Sequence, residues 1–273
     1  MKLNLAGHIG LNSTAEGMFI EHAGQDPIKQ IEFMASQGFA GVEDNFFKSR
    51  PIDEQIAIGK ALQKHNMQMG AMVFSLRFDV PTLVRRSPEA IAILKEEAES
   101  SVAAAKRNGA KFMTVVSGLA DHTLPQDIQV QNMIDNLRWL GDIAQENDFT
   151  LCLEAITQRY WPGIFLNSTR KAHMIVKAVN HPNVRLLFDV FQAQVEDGDL
   201  FRGLDEAWDE IALIQVADAP LRTEPGSGEI NYPNILKKIA EKNFTGLVEL
   251  EHEHSAPGME GETRTLDFWR QYL

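Results

Sequence analysis

Eight short apolar runs, each followed by a longer amphipathic stretch, recur along the chain and constrain its fold more than any other feature. Such apolar runs predict buried strands, and apolar residues at helical spacing predict the helices that follow them. The strands are predicted at residues 3–8, 40–44, 68–74, 111–116, 150–156, 184–190, 212–217 and 246–251. Nearly continuous apolar strands that alternate with helices are typical of a parallel sheet covered by helices.

Residues that favour helix starts and ends occur in the stretches between these strands. Asp26 and Pro27 predict a helix start, as cap and first-turn proline, and Gly38 predicts the end of that helix. A further helix is predicted to open at residues 87–89 and to run to 108–109. Others are predicted at 124–147 and at 263–273, and two more are predicted to start at 167–169 and 232–233. Strand-then-helix units therefore fill the chain.

The turn after the first predicted strand discriminates between two parallel architectures. An open doubly wound sheet normally has a Gly-rich phosphate-binding turn there, and the segment HIGLNSTAEG lacks the GxGxxG order. We therefore expect an α/β fold in which residues 1–273 form a single (β/α)8 TIM barrel domain. In such barrels the functional site lies at the carboxyl ends of the strands.

Composition argues against several classes of partner. The formal net charge of −12 at pH 7 argues against nucleic acid, because binding to phosphate backbones requires clustered Lys and Arg. No apolar run approaches the ~20 residues of a membrane span, and the first residues lack the apolar core of a signal peptide. The single Cys152 fits a reducing compartment. We expect a cytoplasmic protein with a small-molecule substrate and no membrane contact, for which a homo-oligomer is possible.

Four consecutive predicted strands place a polar side chain near the carboxyl end, namely Glu154, Asp189, Gln215 and Glu251. A carboxylate within an apolar strand is costly to bury unless another group compensates its charge. One shared divalent cation would compensate all of them, and carboxylate and amide oxygens favour Mg²⁺ or Mn²⁺ over a structural zinc. Pairing of each acid with an Arg or Lys is the alternative.

Side-chain direction does not separate the acids of the last predicted strand. Glu249, Glu251 and Glu253 alternate with other residues and share one face, although Glu253 is expected to lie beyond the strand end. His252 is expected to face the other way. Glu43, at the end of the second strand, is expected to be a structural acid rather than a catalyst.

Four segments of the second half carry a family resemblance: GIFLN at 163–167, NVRLLFD at 183–189, QVAD at 215–218 and, most specifically, EPGSGEINY at 224–232. They resemble the hydroxypyruvate isomerase family, one of the wider xylose-isomerase-like barrels that also include the ketose 3-epimerases. The resemblance is looser over the first half, where GFAGVE at 38–43 carries it.

The resemblance implies a role for each residue that matches the family pattern. Glu154 and Glu251 match the two catalytic glutamates, which also bind the metal. Asp189 and Gln215 match the other metal ligands. Arg222 matches a basic residue that faces the substrate.

Three further positions bear on the substrate. Gln192 stands where the family usually has His, and Gln can donate a hydrogen bond but cannot carry a proton. Gln215 stands where the ketose epimerases have His, which favours the hydroxypyruvate isomerase branch. His8, which closes the first strand, is expected either to touch the substrate or to pack as a capping histidine.

The expected function is metal-dependent isomerisation of a small hydroxycarbonyl compound such as hydroxypyruvate, tartronate semialdehyde or a short sugar acid. Two glutamates would move a proton through an enediolate whose charge the metal stabilises. A ketose 3-epimerase or sugar dehydratase on the same barrel is one alternative, and a non-catalytic sugar-binding barrel is another. The acidic charge disfavours a DNA-repair endonuclease of similar fold.

Overall fold

A computed structural model describes residues 2–273 of the chain. Its strands are β1 Asn4–His8, β2 Gly41–Glu43, β3 Gln68–Met69, β4 Ala71–Val73, β5 Phe112–Val116, β6 Thr150–Glu154, β7 Val184–Asp189, β8 Ile211–Gln215 and β9 Leu247–Leu250. Its helices are α1 Ile20–Ala23, α2 Pro27–Gln37, α3 Ile52–His65, α4 Pro88–Asn108, α5 Gln126–Glu146, α6 Thr169–Val179, α7 Val190–Glu196, α8 Leu200–Ala207, α9 Tyr232–Glu241 and α10 Gly258–Trp269. All the predicted strands are therefore present.

Contacts divide the described chain into two compact units, and the first contains the residues up to 72 together with 107–110 and 213–273. Its strands follow one another in the order β3, β2, β1, β9, β8, and the paired strands run parallel. The register places Gln215 of β8 opposite Glu249 of β9, and His8 of β1 opposite Glu43 of β2. Trp269 and Tyr232 are the largest buried side chains of this unit.

The second unit contains residues 73–106 and 111–212. Its strands β5, β6 and β7 are adjacent and parallel, with Val116 of β5 opposite Glu154 of β6. Phe188 of β7 and Phe191 of α7 are completely buried in its core. The prediction of a single domain over the whole chain stays a prediction.

Side-chain caps form two of the helix starts that the sequence predicts. Asp26 accepts a hydrogen bond from Ile28 N at 2.9 Å, and Gly38 ends the same helix in the left-handed region at φ 97°. Ser168 accepts from Lys171 N at 3.2 Å at the start of α6. Each cap accepts one of the backbone N–H groups that a helix start leaves without an intrahelical partner.

Some predicted bounds are wrong. The strand expected at 68–74 is divided at Gly70 into β3 and β4. The last helix begins at Gly258 rather than at residue 263, and it ends at Trp269. No helix was predicted at 52–65, 190–196 or 200–207, where α3, α7 and α8 lie. Over residues 2–273, none of these helices combines the length and the apolar composition that crossing a membrane requires.

Candidate active site

The predicted metal ligands all lie at the carboxyl ends of strands. Glu154, Asp189 and Gln215 are the last residues of β6, β7 and β8, and Glu251 directly follows β9. All four side chains are buried. In α/β barrels this end of the strands carries the functional site.

The amide of Gln215 is held in one orientation. Its Nε2 donates to Glu43 Oε2 at 3.3 Å and to Glu249 Oε2 at 3.2 Å. Its Oε1 is buried and has no hydrogen-bond partner within residues 2–273. A buried amide oxygen without a partner costs roughly 1–3 kcal/mol, so this oxygen is suited to a ligand outside the chain.

Glu43 and Glu249 form a completely buried pair of carboxyl groups beside this amide. Burial raises the pKa of both groups, and their mutual repulsion raises the pKa of Glu43 further. Glu249 Oε1 also accepts a hydrogen bond from Ala71 N at 2.6 Å. The pKa of Glu43 is raised more than that of Glu249, so Glu43 holds its proton beside the Glu249 carboxylate under conditions in which exposed carboxyl groups lose theirs.

Both oxygens of Glu251 accept hydrogen bonds from side chains. Asn45 Nδ2 donates to Oε1 at 2.8 Å, and Arg222 Nη2 donates to Oε2 in an ion pair. Arg222 has a positive φ of 59°, which is uncommon for a residue other than glycine and is often found at functional sites. These two donors fix the carboxylate plane of Glu251. Asn45 was not predicted as a site residue, although it directly follows the strand predicted at 40–44.

Asp189 closes β7 and caps the helix that follows it. Its Oδ1 accepts from Phe191 N at 2.7 Å and from Gln192 N at 3.3 Å, at the start of α7. This cap orients the carboxylate through a backbone element rather than through a flexible partner.

Three buried acids could hold a metal ion. Glu154 and Asp189 of the second unit and Glu251 of the first each offer a carboxylate oxygen. With the buried amide oxygen of Gln215, the predicted donors are carboxylate and amide oxygens without a thiolate, which suits hard cations. The residues that the chain provides therefore fit a divalent cation.

The two remaining predicted substrate residues are buried and engaged with the backbone. Gln192 Oε1 accepts from Thr157 N at 2.7 Å, which ties α7 to the segment after β6. His8 has Nδ1 3.1 Å from the carbonyl oxygen of Glu16 and Nε2 3.1 Å from that of His252. Burial lowers the pKa of His8 to about 4, so it is neutral at pH 7.

Asp218 organises the segment EPGSGEINY. It is completely buried and accepts hydrogen bonds from the backbone N of Gly226 at 2.8 Å, Gly228 at 3.0 Å and Ile230 at 3.0 Å. These bonds use its carboxylate to shape the loop, so it is a structural acid.

Comparisons with known proteins identify relatives over most of the chain. A family model described as xylose isomerase-like TIM barrel matches residues 31–272. The hydroxypyruvate isomerase of Escherichia coli (strain K12) is 28% identical over 236 residues, which cover 84% of this chain and 88% of that protein. The 2-oxo-tetronate isomerase of Pectobacterium atrosepticum is 27% identical over 165 residues, which cover 60% of this chain and 63% of that protein.

One solved structure matches the whole described fold. It is described as an AP endonuclease, family 2, from Brucella melitensis, and it matches with a TM-score of 0.83 at 24% identity. The match covers 100% of this chain and 99% of that one. A likeness at this level of identity bears on the fold and not on the activity.

Proposed function

The chain belongs to the xylose isomerase-like TIM barrel family and is an isomerase, and we propose that it converts a short hydroxycarbonyl acid with the help of a divalent cation. Membership of this family confirms the predicted α/β barrel. The names of the two curated relatives, hydroxypyruvate isomerase and 2-oxo-tetronate isomerase, support the substrate class, since both name short 2-oxo acids.

The observation that carries the proposal is the amide of Gln215. Its nitrogen is bound by two carboxyl groups, and its buried oxygen has no partner in the described part of the chain. A cation bound by this oxygen and by the carboxylates of Glu154, Asp189 and Glu251 would compensate the buried charges together. Mg²⁺ and Mn²⁺ are the metals that an all-oxygen donor set favours.

The bound cation would act as a Lewis acid that stabilises negative charge on the substrate's carbonyl oxygen. The isomerisation itself moves one proton between adjacent carbon atoms and one between their oxygens, so it needs no external oxidant or reductant. We assign the carbon-to-carbon proton transfer to Glu154 and Glu251, one taking the proton and the other returning one. Well-placed acid-base groups of this kind contribute ~10² to 10⁴-fold each.

Arg222 is the proposed contact for the substrate's own carboxylate. Its guanidinium pairs with Glu251, and its side chain is 24% exposed, whereas that of Glu251 is 7% exposed. A guanidinium offers five N–H donors in a fixed plane, so it can hold Glu251 and a substrate carboxylate together. Gln192 and His8 stay proposed substrate contacts, and both are less accessible than Arg222.

Metal analysis combined with a substrate screen tests the proposal. The purified protein should contain or bind Mn²⁺ or Mg²⁺, and it should turn over hydroxypyruvate, tartronate semialdehyde or a 2-oxo-tetronate faster than a ketose such as D-psicose. Asp189→Asn should lose bound metal and activity, because the amide keeps an acceptor for the cap of α7 but lacks the charge.

The matched control is Asp121→Asn, since Asp121 is another buried carboxyl group that accepts a backbone hydrogen bond, from Thr123 N at 2.9 Å. That variant should retain metal and turnover. Full activity after chelation would contradict the metal site, and faster turnover of a ketose would favour the 3-epimerase alternative. Binding of sugars without turnover of any compound would favour a non-catalytic barrel.

A further inference from the structure

We propose that Glu249 is a positioning residue that sets the orientation of the Gln215 amide and thereby the affinity of the site for a divalent cation. The inference rests on the proposed function, because it concerns the same metal. Glu249 does not itself join the group of carboxylates that could hold the ion. Its effect is exerted through the 3.2 Å hydrogen bond that its Oε2 accepts from Gln215 Nε2.

The carboxylate of Glu249 is fixed from the opposite side by the backbone. Ala71 N donates to its Oε1 at 2.6 Å. Gly70 provides the space, because a Cβ at residue 70 would lie 2.1 Å from the same oxygen. The division of the predicted strand 68–74 at Gly70 therefore coincides with the point where the Glu249 carboxylate contacts the backbone.

Orientation matters because the two ends of an amide have opposite properties toward a cation. The oxygen offers lone pairs, whereas the nitrogen offers two N–H groups and no lone pair for a metal. The present orientation directs the N–H groups of Gln215 to Glu43 and Glu249. A reversed amide would place its oxygen against the carboxylate of Glu249, which also accepts from Ala71 N. Repulsion between acceptor oxygens disfavours that arrangement.

The substitution Glu249→Gln weakens this discrimination. The introduced amide can present its own N–H groups to the Gln215 oxygen, so the reversed orientation of Gln215 becomes more favourable than in the wild type, and only the hydrogen bond to Glu43 still favours the native orientation. The reversed Gln215 amide turns N–H groups toward the cation. Changes in residues that orient a metal ligand typically reduce metal affinity by about 10- to 100-fold.

Titration of the folded wild-type and variant proteins with Mn²⁺, followed by calorimetry and by the EPR spectrum of the bound ion, tests the inference. Glu249→Gln should weaken Mn²⁺ binding by about 10- to 100-fold. Gly70→Ala should weaken it in the same direction, because the added Cβ displaces the Glu249 carboxylate without removing any polar group.

The matched control is Glu262→Gln. Glu262 is also a buried carboxylate of the first unit, and it also accepts a backbone hydrogen bond, from Glu21 N at 2.7 Å. Its replacement should leave Mn²⁺ affinity and the EPR spectrum unchanged, so a general loss of packing after any Glu→Gln change is separated from a loss of orientation.

An exchange of the two side chains distinguishes positioning from bulk stability. In the double variant Gln215→Glu with Glu249→Gln, the amide introduced on β9 can donate to one oxygen of the carboxylate introduced on β8 and leave the other oxygen for the metal. This variant should bind Mn²⁺ at least as tightly as wild type and should recover a single EPR species.

The outcomes separate the two proposals. A wild-type protein that binds no Mn²⁺ or Mg²⁺ would overturn the proposed metal site together with this inference. Wild-type affinity in Glu249→Gln, or a double variant that binds no more tightly than Glu249→Gln, would overturn the positioning role alone.

Discussion

Glu249 and Glu251 stand two residues apart at the end of the same strand, yet their surroundings differ in almost every respect. Glu249 lies within β9, is completely buried and contacts a backbone N–H and a neutral amide. Glu251 lies just beyond the strand and contacts the cationic Arg222 and Asn45. The inner carboxyl group has a raised pKa because burial disfavours its charge. The outer one belongs to the group of acids that could hold a metal.

The difference shows that two acids on the same face of a strand can differ in role because they lie at different depths along it. A carboxylate deep within the sheet is too enclosed to meet a substrate, so it can serve only the side chains around it. The carboxylate of Glu251 at the strand end is reached by Arg222, which lies in the loop after β8. With the proposed roles, one strand would supply both a reacting group, Glu251, and the group that orients Gln215, Glu249.

The largest expected difference between the two acids is in turnover. Glu251→Gln should reduce kcat by about 10³-fold or more, because it removes a proposed proton-transfer group and a metal ligand. Glu249→Gln should be rescued by raising the Mn²⁺ concentration, since its role concerns metal affinity. Steady-state kinetics across a metal titration checks this. Rescue of Glu251→Gln by metal, or failure to rescue Glu249→Gln, would contradict the division of roles.

The contributions of His8 and of the Glu43–Glu249 pair to the free energy of unfolding should also depend on pH with opposite signs. His8 contacts the backbone of His252, next to Glu251, and burial lowers the pKa of His8 to about 4, below its ordinary 6.5. Between these values the unfolded chain binds a proton that the folded chain does not, so stability falls as pH falls, by about 1.4 kcal/mol per pH unit for such a group. The raised pKa of Glu43 and Glu249 means that their contribution instead weakens as pH rises above 4.5.

Urea unfolding of the metal-free protein at pH 6.5, 5.5 and 4.5 measures the first of these contributions. His8→Gln should lose less stability over this interval than wild type, whatever its stability at pH 7.5. The control is His122→Gln, because His122 is exposed and the change should leave the pH dependence as in wild type. An equal loss in wild type and His8→Gln would show that His8 titrates normally in the folded state.

The smallest expected effect concerns the support of Glu251. Asn45→Ala removes the 2.8 Å hydrogen bond to Glu251 Oε1 while Arg222 continues to hold the other oxygen. We expect kcat/KM to fall by about 10-fold, in line with the loss of one hydrogen bond to a charged group. Asn4→Ala, which removes an exposed hydrogen bond to Thr245 O, should leave kcat/KM as in wild type. No change in Asn45→Ala would mean that Arg222 alone orients Glu251.

The strands could be predicted from the sequence because each is a local apolar run bounded by polar or turn residues. The start of α10 could not, because SAPGMEGE has the composition of a loop. Its Glu262 accepts hydrogen bonds from Glu21 N and His22 N, far away along the chain. Contacts between distant segments leave no trace in local periodicity.

The site residues also divide into those that local sequence predicts and those that depend on contacts between distant segments. Strand position and family resemblance together predicted Glu154, Asp189, Gln215 and Glu251, and the structure places each at a strand end, while their role as ligands stays a prediction. The support of these residues was not predictable, because Asn45 and Glu251 are separated by most of the chain. The choice of Glu251 over Glu249 as the predicted metal ligand needed the family pattern, because side chains two residues apart on a strand point to the same face.

The loop held by Asp218 has a consequence for engineering. The carboxylate accepts the N–H groups of residues 226, 228 and 230, so alternate residues face the same acceptor. A Cβ at Gly228 would also lie 1.9 Å from Ala219 O. An insertion or deletion of one residue would turn every later donor away from Asp218. Libraries that aim at a new substrate should therefore keep this loop at constant length and place diversity at 158–161, where Tyr160 and Trp161 are exposed.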